Sequence, residues 1–236
     1  VSEGEAPTIA LLVEAEADAK TASGLVDRVL AEAAHWIADG DPEHYRRWHT
    51  IHWKNVRRLC EEHGVVLHGG FGEAARKPDA RAARRALMLL AKLGPPEAVV
   101  MLRDADDQPA RLEGLRQGRD DHRQPLAASR IAVGVADPTR EAWHLAGFEA
   151  ATTVETKALS EERQRLGFDP TRHPHRLRRR GERSIKPVLE ALTGGDRDRE
   201  QRCLECAHDR LEQTGVECGL TDFLAEVRER VVPCFV

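Results

Sequence analysis

Apolar residues recur along this chain in two alternating rhythms. Short continuous runs occur at 7–13 (Pro-Thr-Ile-Ala-Leu-Leu-Val), Gly64–His68, Val99–Leu102 and Ser129–Val135. Runs of this length, bounded by Gly, Pro and acidic residues, predict buried strands. Between them, apolar residues return every three or four positions. Leu25, Val26, Val29, Leu30, Ala33, Trp36 and Ile37 do so over 24–38, and Ala83, Ala86, Leu87, Leu90 and Leu93 over 79–93. Shorter segments run from Pro109 to Gly118 and from Thr139 to Gly147. This spacing predicts helices with one buried face. Asp79 and Asp137 stand where N-caps belong, and Gly94-Pro95-Pro96 stops the second helix. Strand and helix alternate four times, so the expected fold class is α/β: a four-stranded parallel sheet flanked by helices, with right-handed crossovers.

Residues 39–75 read as an insertion together with the second-strand region. Trp48, Ile51, Trp53, Val56 and Leu59 predict a short helix, which sets His49 and His52 at i, i+3. Two histidines at that spacing can share a metal, although such ligands usually come with others nearby. Gly69-Gly70-Phe71-Gly72 is either a backbone cradle for a phosphate or a flexible turn. No Lys-Ser/Thr pair follows to complete a phosphate loop.

From 151 onward the character changes, and no strand is predicted. Helices are expected over Lys157–Leu166, from a Ser184 cap to Leu192, from an Asp196 cap to Thr214-Gly215, and from a Thr221 cap onward. The chain therefore divides into 1–150, an α/β domain, and 151–236, a basic helical subdomain. Arg163, Arg165, Arg172, Arg176, Arg178, Arg179, Arg180, Arg183 and Lys186 crowd one stretch of the latter. Such a run suits a nucleic-acid backbone, whose counterions it would release; alone, it equally describes a solvated loop. Cys203, Cys206, His208 and Cys218 lack zinc-knuckle spacing and are expected to be packed or surface thiols.

Composition narrows these readings. A hydrophobic content of 41% supports a real core. The formal net charge of −4 means that contact with nucleic acid must come from a local patch and not a global field. Five scattered cysteines do not make a disulfide framework and suit a reducing, cytoplasmic setting. No apolar run is long enough for a membrane span, and no basic-then-apolar leader opens the sequence.

The candidate chemistry sits where strands are predicted to end. Asp104 and Asp106 close the run at 99–102. In extended chain, side chains two apart face the same way. Two carboxylates held together repel, and a divalent cation with oxygen ligands relieves that. The alternative is an acidic turn capping the next helix. Glu14, with Asp18 behind it, follows the first strand, and Glu141 follows the fourth. Ligands of open α/β sheets bind at such ends. Glu141 also suits the helix dipole of the segment it opens.

Leu11-Leu12-Val13-Glu14-Ala15-Glu16-Ala17-Asp18 and Arg103-Asp104-Ala105-Asp106 resemble the two acidic motifs of the Toprim, or topoisomerase–primase, fold. Ala15 stands where that family usually has Gly, and Gln108 replaces the third Asp of topoisomerases. The departure at Gln108 turns the resemblance toward the nuclease branch. That branch includes the overcoming-lysogenisation-defect type and small stand-alone Toprim proteins associated with ABC-type ATPases. Arg140-Glu141-Ala142-Trp143 is similar to a Glu-x-Trp segment of the small proteins, and Lys186 is the candidate for their lysine. The resemblance covers about 1–150. It implies a Toprim-like catalytic domain with Mg²⁺ or Mn²⁺ held by Asp104, Asp106, Glu14, Glu141 and Asp18, with Glu14 as ligand or general base and Lys186 steadying developing charge. It further implies DNA or RNA as substrate, contacted by Arg172, Arg176, Arg178, Arg179, Arg180 and Arg183. An ABC-type ATPase partner in phage defence and a possible homo-oligomer complete the expectation. Two alternatives stand beside it. One is a non-catalytic Toprim-like module that binds nucleic acid or a partner. The other is an α/β phosphatase, whose nucleophilic Asp would lie near the N-terminus with a Thr soon after.

Overall fold

In this computed structural model, residues 6–34, 45–66, 77, 79–122 and 127–235 are described. The chain runs β1 (Thr8–Val13), α1 (Glu16–Ala33), β2 (Arg47–His52), α2 (Trp53–Glu62), α3 (Ala80–Leu93), β3 (Ala98–Asp104), α4 (Arg111–Asp120), β4 (Ile131–Ala136) and α5 (Glu141–Gly147). There follow α6 (Thr153–Leu166), α7 (Ile185–Thr193), α8 (Arg197–Arg202), α9 (His208–Thr214) and α10 (Leu220–Arg230), with short 3-10 turns between several of them. The strands form one all-parallel sheet in the order β2-β1-β3-β4, with helices around it. The α/β architecture with helical C-terminal segments is therefore as the alternation predicts. No described helix is long and apolar enough to cross a membrane.

The central strands β1 and β3 read as unbroken apolar runs because they are buried throughout Ile9–Val13 and Ala98–Leu102. Leu12 stands opposite Met101 on one side and Ile51 on the other.

The second strand differs from expectation. It is Arg47–His52, where a helix is predicted, and Gly64–Val66 forms no strand. His68 and the glycines at 69, 70 and 72 lie outside the described residues. The physical reason is the strand's place in the sheet. Among the described residues β2 pairs along one side only, with β1, and of its six residues only Ile51 is buried. An edge strand needs no continuous apolar run, and Trp48 and Ile51 at i, i+3 imitate helical spacing. Because the segment is extended, His49 and His52 point to opposite faces and do not form the i, i+3 pair that a helix would make.

Helix α1 begins at Glu16, eight residues before the predicted start. Its first turns carry Ala, Glu and Lys, good helix formers without an apolar stripe to announce them. Trp36 and Ile37 lie outside the described residues. Asp79 occupies the N-cap position of α3 but makes no side-chain cap bond there. Asp137 does not cap α5, which starts at Glu141 after Arg140. Asp196 caps α8 as predicted, accepting from the amides of Asp198 and Arg199. The long helix expected after it is split into α8 and α9 by a turn at Cys203–Glu205. Thr221 lies inside α10, and its hydroxyl donates to the Glu212 carbonyl at 2.7 Å.

The chain divides into two units by internal contact, and the division cuts across the sequence boundary at 150. One comprises the chain to Leu102, Gln108–Gly134 and everything from Leu224 on; the other comprises Arg103–Asp107 and Val135–Phe223. In the first, α1 lies against β1, and α3 lies against both α2 and α4. Gly118 of α4 lets that helix approach α3 closely: a Cβ there would stand 2.6 Å from both the Ala80 carbonyl oxygen and the Ala83 Cβ. The Arg119 guanidinium, itself buried, pairs with Glu226 at 2.8 Å.

In the second unit α5 is central and fully enclosed. Trp143 stacks on Phe223 with ring centroids 5.0 Å apart, and its indole N–H donates to the Cys218 carbonyl at 2.8 Å. Helices α7 and α9 both lie against α5.

Candidate active site

The second unit gathers Asp104, Asp106, Glu141, Arg179 and Lys186. Strand β3 ends at Asp104. Beyond it the backbone turns, and Asp106 and Asp107 take positive φ values of 50° and 61°. Asp tolerates this left-handed region better than most residues. The alternation rule that set the two carboxylates side by side in extended chain therefore stops at Asp104. The turn is held by backbone instead: the Ala105 amide donates to the Ala136 carbonyl at 2.8 Å, and the Asp106 amide to that of Pro138 at 3.2 Å.

Each carboxylate has a basic or amide partner. Asp104 Oδ1 accepts the Arg140 backbone N–H at 2.7 Å. Asp106 Oδ1 lies 2.8 Å from Arg179 Nη1. Glu141 Oε2 accepts the Thr139 hydroxyl at 2.5 Å, while its Oε1 faces Arg140 Nη2 and Lys186 Nζ, each at 3.6 Å. Burial by itself would raise the Glu141 pKa. The Thr139 hydroxyl, the Arg140 guanidinium, its own amide and Lys186 together outweigh burial and hold it below the usual carboxylate range. Glu141 is thus a buried carboxylate kept ionised.

Arg140 is steered by a residue that the sequence reading passes over. His144, one turn along α5, is 1% exposed. Its Nε2 lies 2.9 Å from Arg140 Nη1 and its Nδ1 2.9 Å from the Glu200 carbonyl. Arginine only donates and a carbonyl only accepts, so the ring is the neutral tautomer with its proton on Nδ1. A His four residues after an Arg on a helix is the one sequence signal that pointed to this contact.

Glu14 and Asp18 belong to the first unit. Glu14 faces the buried Arg111 at 3.7 Å, and Arg111 also pairs with Asp79 at 2.7 Å. Asp18 accepts the Ala15 amide at 2.8 Å, the work of a helix-start residue. Of the predicted nucleic-acid contacts, Arg172, Arg176, Arg178, Arg179, Arg180 and Arg183 are all exposed residues of the second unit. Arg176 and Arg183 rest over the Phe168 ring, at 4.4 and 5.9 Å from its centroid.

Among the described residues no group of three or more His, Cys, Asp or Glu stands ready to hold a metal ion. Asp104 and Asp106 nonetheless offer hard oxygen donors. One or two carboxylates suffice for Mg²⁺, which keeps water and substrate phosphate in its remaining positions. The donor chemistry therefore fits Mg²⁺ or Mn²⁺. Cys203 and Cys218 are buried, and burial pushes both thiols up to about 12, which leaves them protonated and packed as small apolar groups.

Fold and site together define an α/β protein with carboxylates and cations interleaved beyond the ends of two neighbouring strands. Comparison with family models, with curated proteins and with solved structures gives no match.

Proposed function

We propose that this chain is a metal-dependent nuclease of Toprim type that hydrolyses phosphodiester bonds of DNA or RNA. The observation that carries the reading is the pairing, within one unit, of Asp106 with Arg179 and of the ionised Glu141 with Lys186, with Asp104 held by the Arg140 amide. Carboxylates serve a divalent cation; cations serve a phosphate. A metal-dependent site for phosphodiester hydrolysis can use both.

Asp104 and Asp106 are the residues to hold Mg²⁺ or Mn²⁺, and Glu141 is a further carboxylate of the same unit. The bound ion would neutralise charge on the phosphate and ease ionisation of water. Arg140, locked by His144, keeps Glu141 in place. Lys186 meets negative charge as it develops on the scissile group, as fixed cations do. The exposed arginines of 172–183 position the backbone without reading bases. Glu14 and Asp18 enter through the motif resemblance alone. So do an ABC-type ATPase partner, a role as effector in phage defence and a homo-oligomer; a cytoplasmic setting rests on the scattered cysteines.

One observation favours a second reading, a non-catalytic nucleic-acid- or partner-binding module: the carboxylates Asp106 and Glu141 are already paired with side-chain cations. Plasmid DNA and total tRNA, incubated with Mg²⁺ or Mn²⁺, separate the two. The nuclease reading expects cleavage by the wild type, lost by at least about a hundredfold in D104A, in line with removal of a group that stabilises charge in the transition state, with nucleic-acid binding retained. Binding without cleavage, unchanged in D104A, would favour the module over a nuclease that acts without its partner.

A further inference from the structure

The loop that carries Arg179 is built to hold one shape. Leu177 and Ile185 anchor its two ends in the core, both fully buried. Between them the Arg178 amide donates to the Arg183 carbonyl at 2.9 Å, and the Ile185 amide returns to the Arg178 carbonyl at 2.9 Å. The Ser184 amide donates to Gly181 at 3.0 Å, and its hydroxyl to Arg179 at 3.2 Å. Gly181 turns the chain at a φ of +93°. The outcome is a closed basic loop whose backbone needs no ligand to be ordered. Of its arginines, Arg179 is the one paired with a site carboxylate: its guanidinium lies 2.8 Å from Asp106. The side chain of Asp106 is 15% exposed, while that of Arg179 remains 46% exposed. The cation thus covers the carboxylate yet keeps a face open to solvent.

A carboxylate oxygen neutralised by a guanidinium is a poorer ligand for a second cation. A guanidinium also has a better partner than a single carboxylate oxygen when a phosphate arrives, because its planar fork matches phosphate with two parallel hydrogen bonds. We infer that Arg179 and the divalent cation compete for Asp106, and that a nucleic-acid phosphate resolves the competition by drawing Arg179 to itself. Metal loading and substrate loading are then linked, and the linkage is reciprocal: each raises the affinity for the other by the same factor. The protein holds its metal weakly while alone and firmly on nucleic acid. This rests on the reading of Asp104 and Asp106 as metal ligands.

The test is a titration of the 236-residue chain with Mn²⁺ alone, without nucleic acid, with free Mn²⁺ read by electron paramagnetic resonance. Wild type is compared with R179Q, R179K, D106N and R197Q. Arg197 is an exposed residue outside the loop and controls for net charge. R179Q is expected to bind Mn²⁺ at least about five times more tightly than wild type, the lower end of ordinary coupling. R179K keeps the cation and R197Q keeps the ion pair, so both should match wild type. D106N should bind more weakly. Equal or weaker binding by R179Q, with D106N still impaired, overturns the competition and leaves the metal reading standing. Absence of Mn²⁺ binding in every protein overturns both.

Discussion

His144 is a single side chain whose protonation state the fold decides. Burial above all, and the Arg140 guanidinium next, lower its pKa from 6.5 to about 4. The folded protein therefore prefers the neutral ring, and the unfolded chain binds the extra proton between those values. Stability is complete above pH 6.5 and falls as pH drops from there through 4. His122, also lowered by burial and by Arg84, acts with the same sign, so the comparison must be made against a His144 variant. In urea unfolding, wild type should lose about 2 kcal/mol more than H144Q between about pH 7 and about pH 5. Equal losses would mean that His144 does not hold Arg140 as a neutral acceptor.

Elements meet at distances that glycine permits. Gly118 is in the interior of α4, where alanine is the better helix former by about 1 kcal/mol. Propensity alone predicts that G118A stabilises. The added Cβ would lie 2.6 Å from a backbone oxygen of α3, which has no flexible end to give way. Parting two packed helices costs about 1–3 kcal/mol and empties contacts around Ala80 and Ala83, both fully buried. The second effect outweighs the first, and G118A should destabilise by up to about 2 kcal/mol in equilibrium unfolding; a stabilised variant would refute the close packing of α3 on α4. The same scale explains the misplaced second strand. Helix and strand periods are told apart by many repeats, and an edge strand of six residues with one buried position offers almost none.

At the scale of the whole molecule, a chain of net charge −4 concentrates arginine between 172 and 183. Binding to nucleic acid should therefore be local and strongly dependent on salt. Each phosphate contact contributes about 0.9 to the slope of log affinity against log salt on duplex DNA, and about 0.7 on single strands. The triple variant R178Q/R180Q/R183Q should lower that slope by about 2 to 3, read by fluorescence anisotropy on a short labelled duplex. An unchanged slope would remove the basic segment from the interface.

What the sequence by itself determined is the part governed by local pattern. β1, β3, β4 and most helices are legible because burial on both faces, or on one, leaves a rhythm in the order of residues. The acidic positions at 14, 104, 106 and 141 are legible because the strands that precede them are. Tertiary structure decided the rest. It extended β2 along β1, where pairing on one side replaces an apolar run. It turned the backbone at Asp106, so that the two carboxylates of Asp-x-Asp no longer follow strand alternation. It brought Arg179 to Asp106, Lys186 to Glu141 and the Glu200 carbonyl to His144, across 73, 45 and 56 residues of chain respectively. Charges and hydrogen-bond donors leave no periodic trace of their partners. Which pairs meet is settled by how the buried faces pack, and only the folded chain records that.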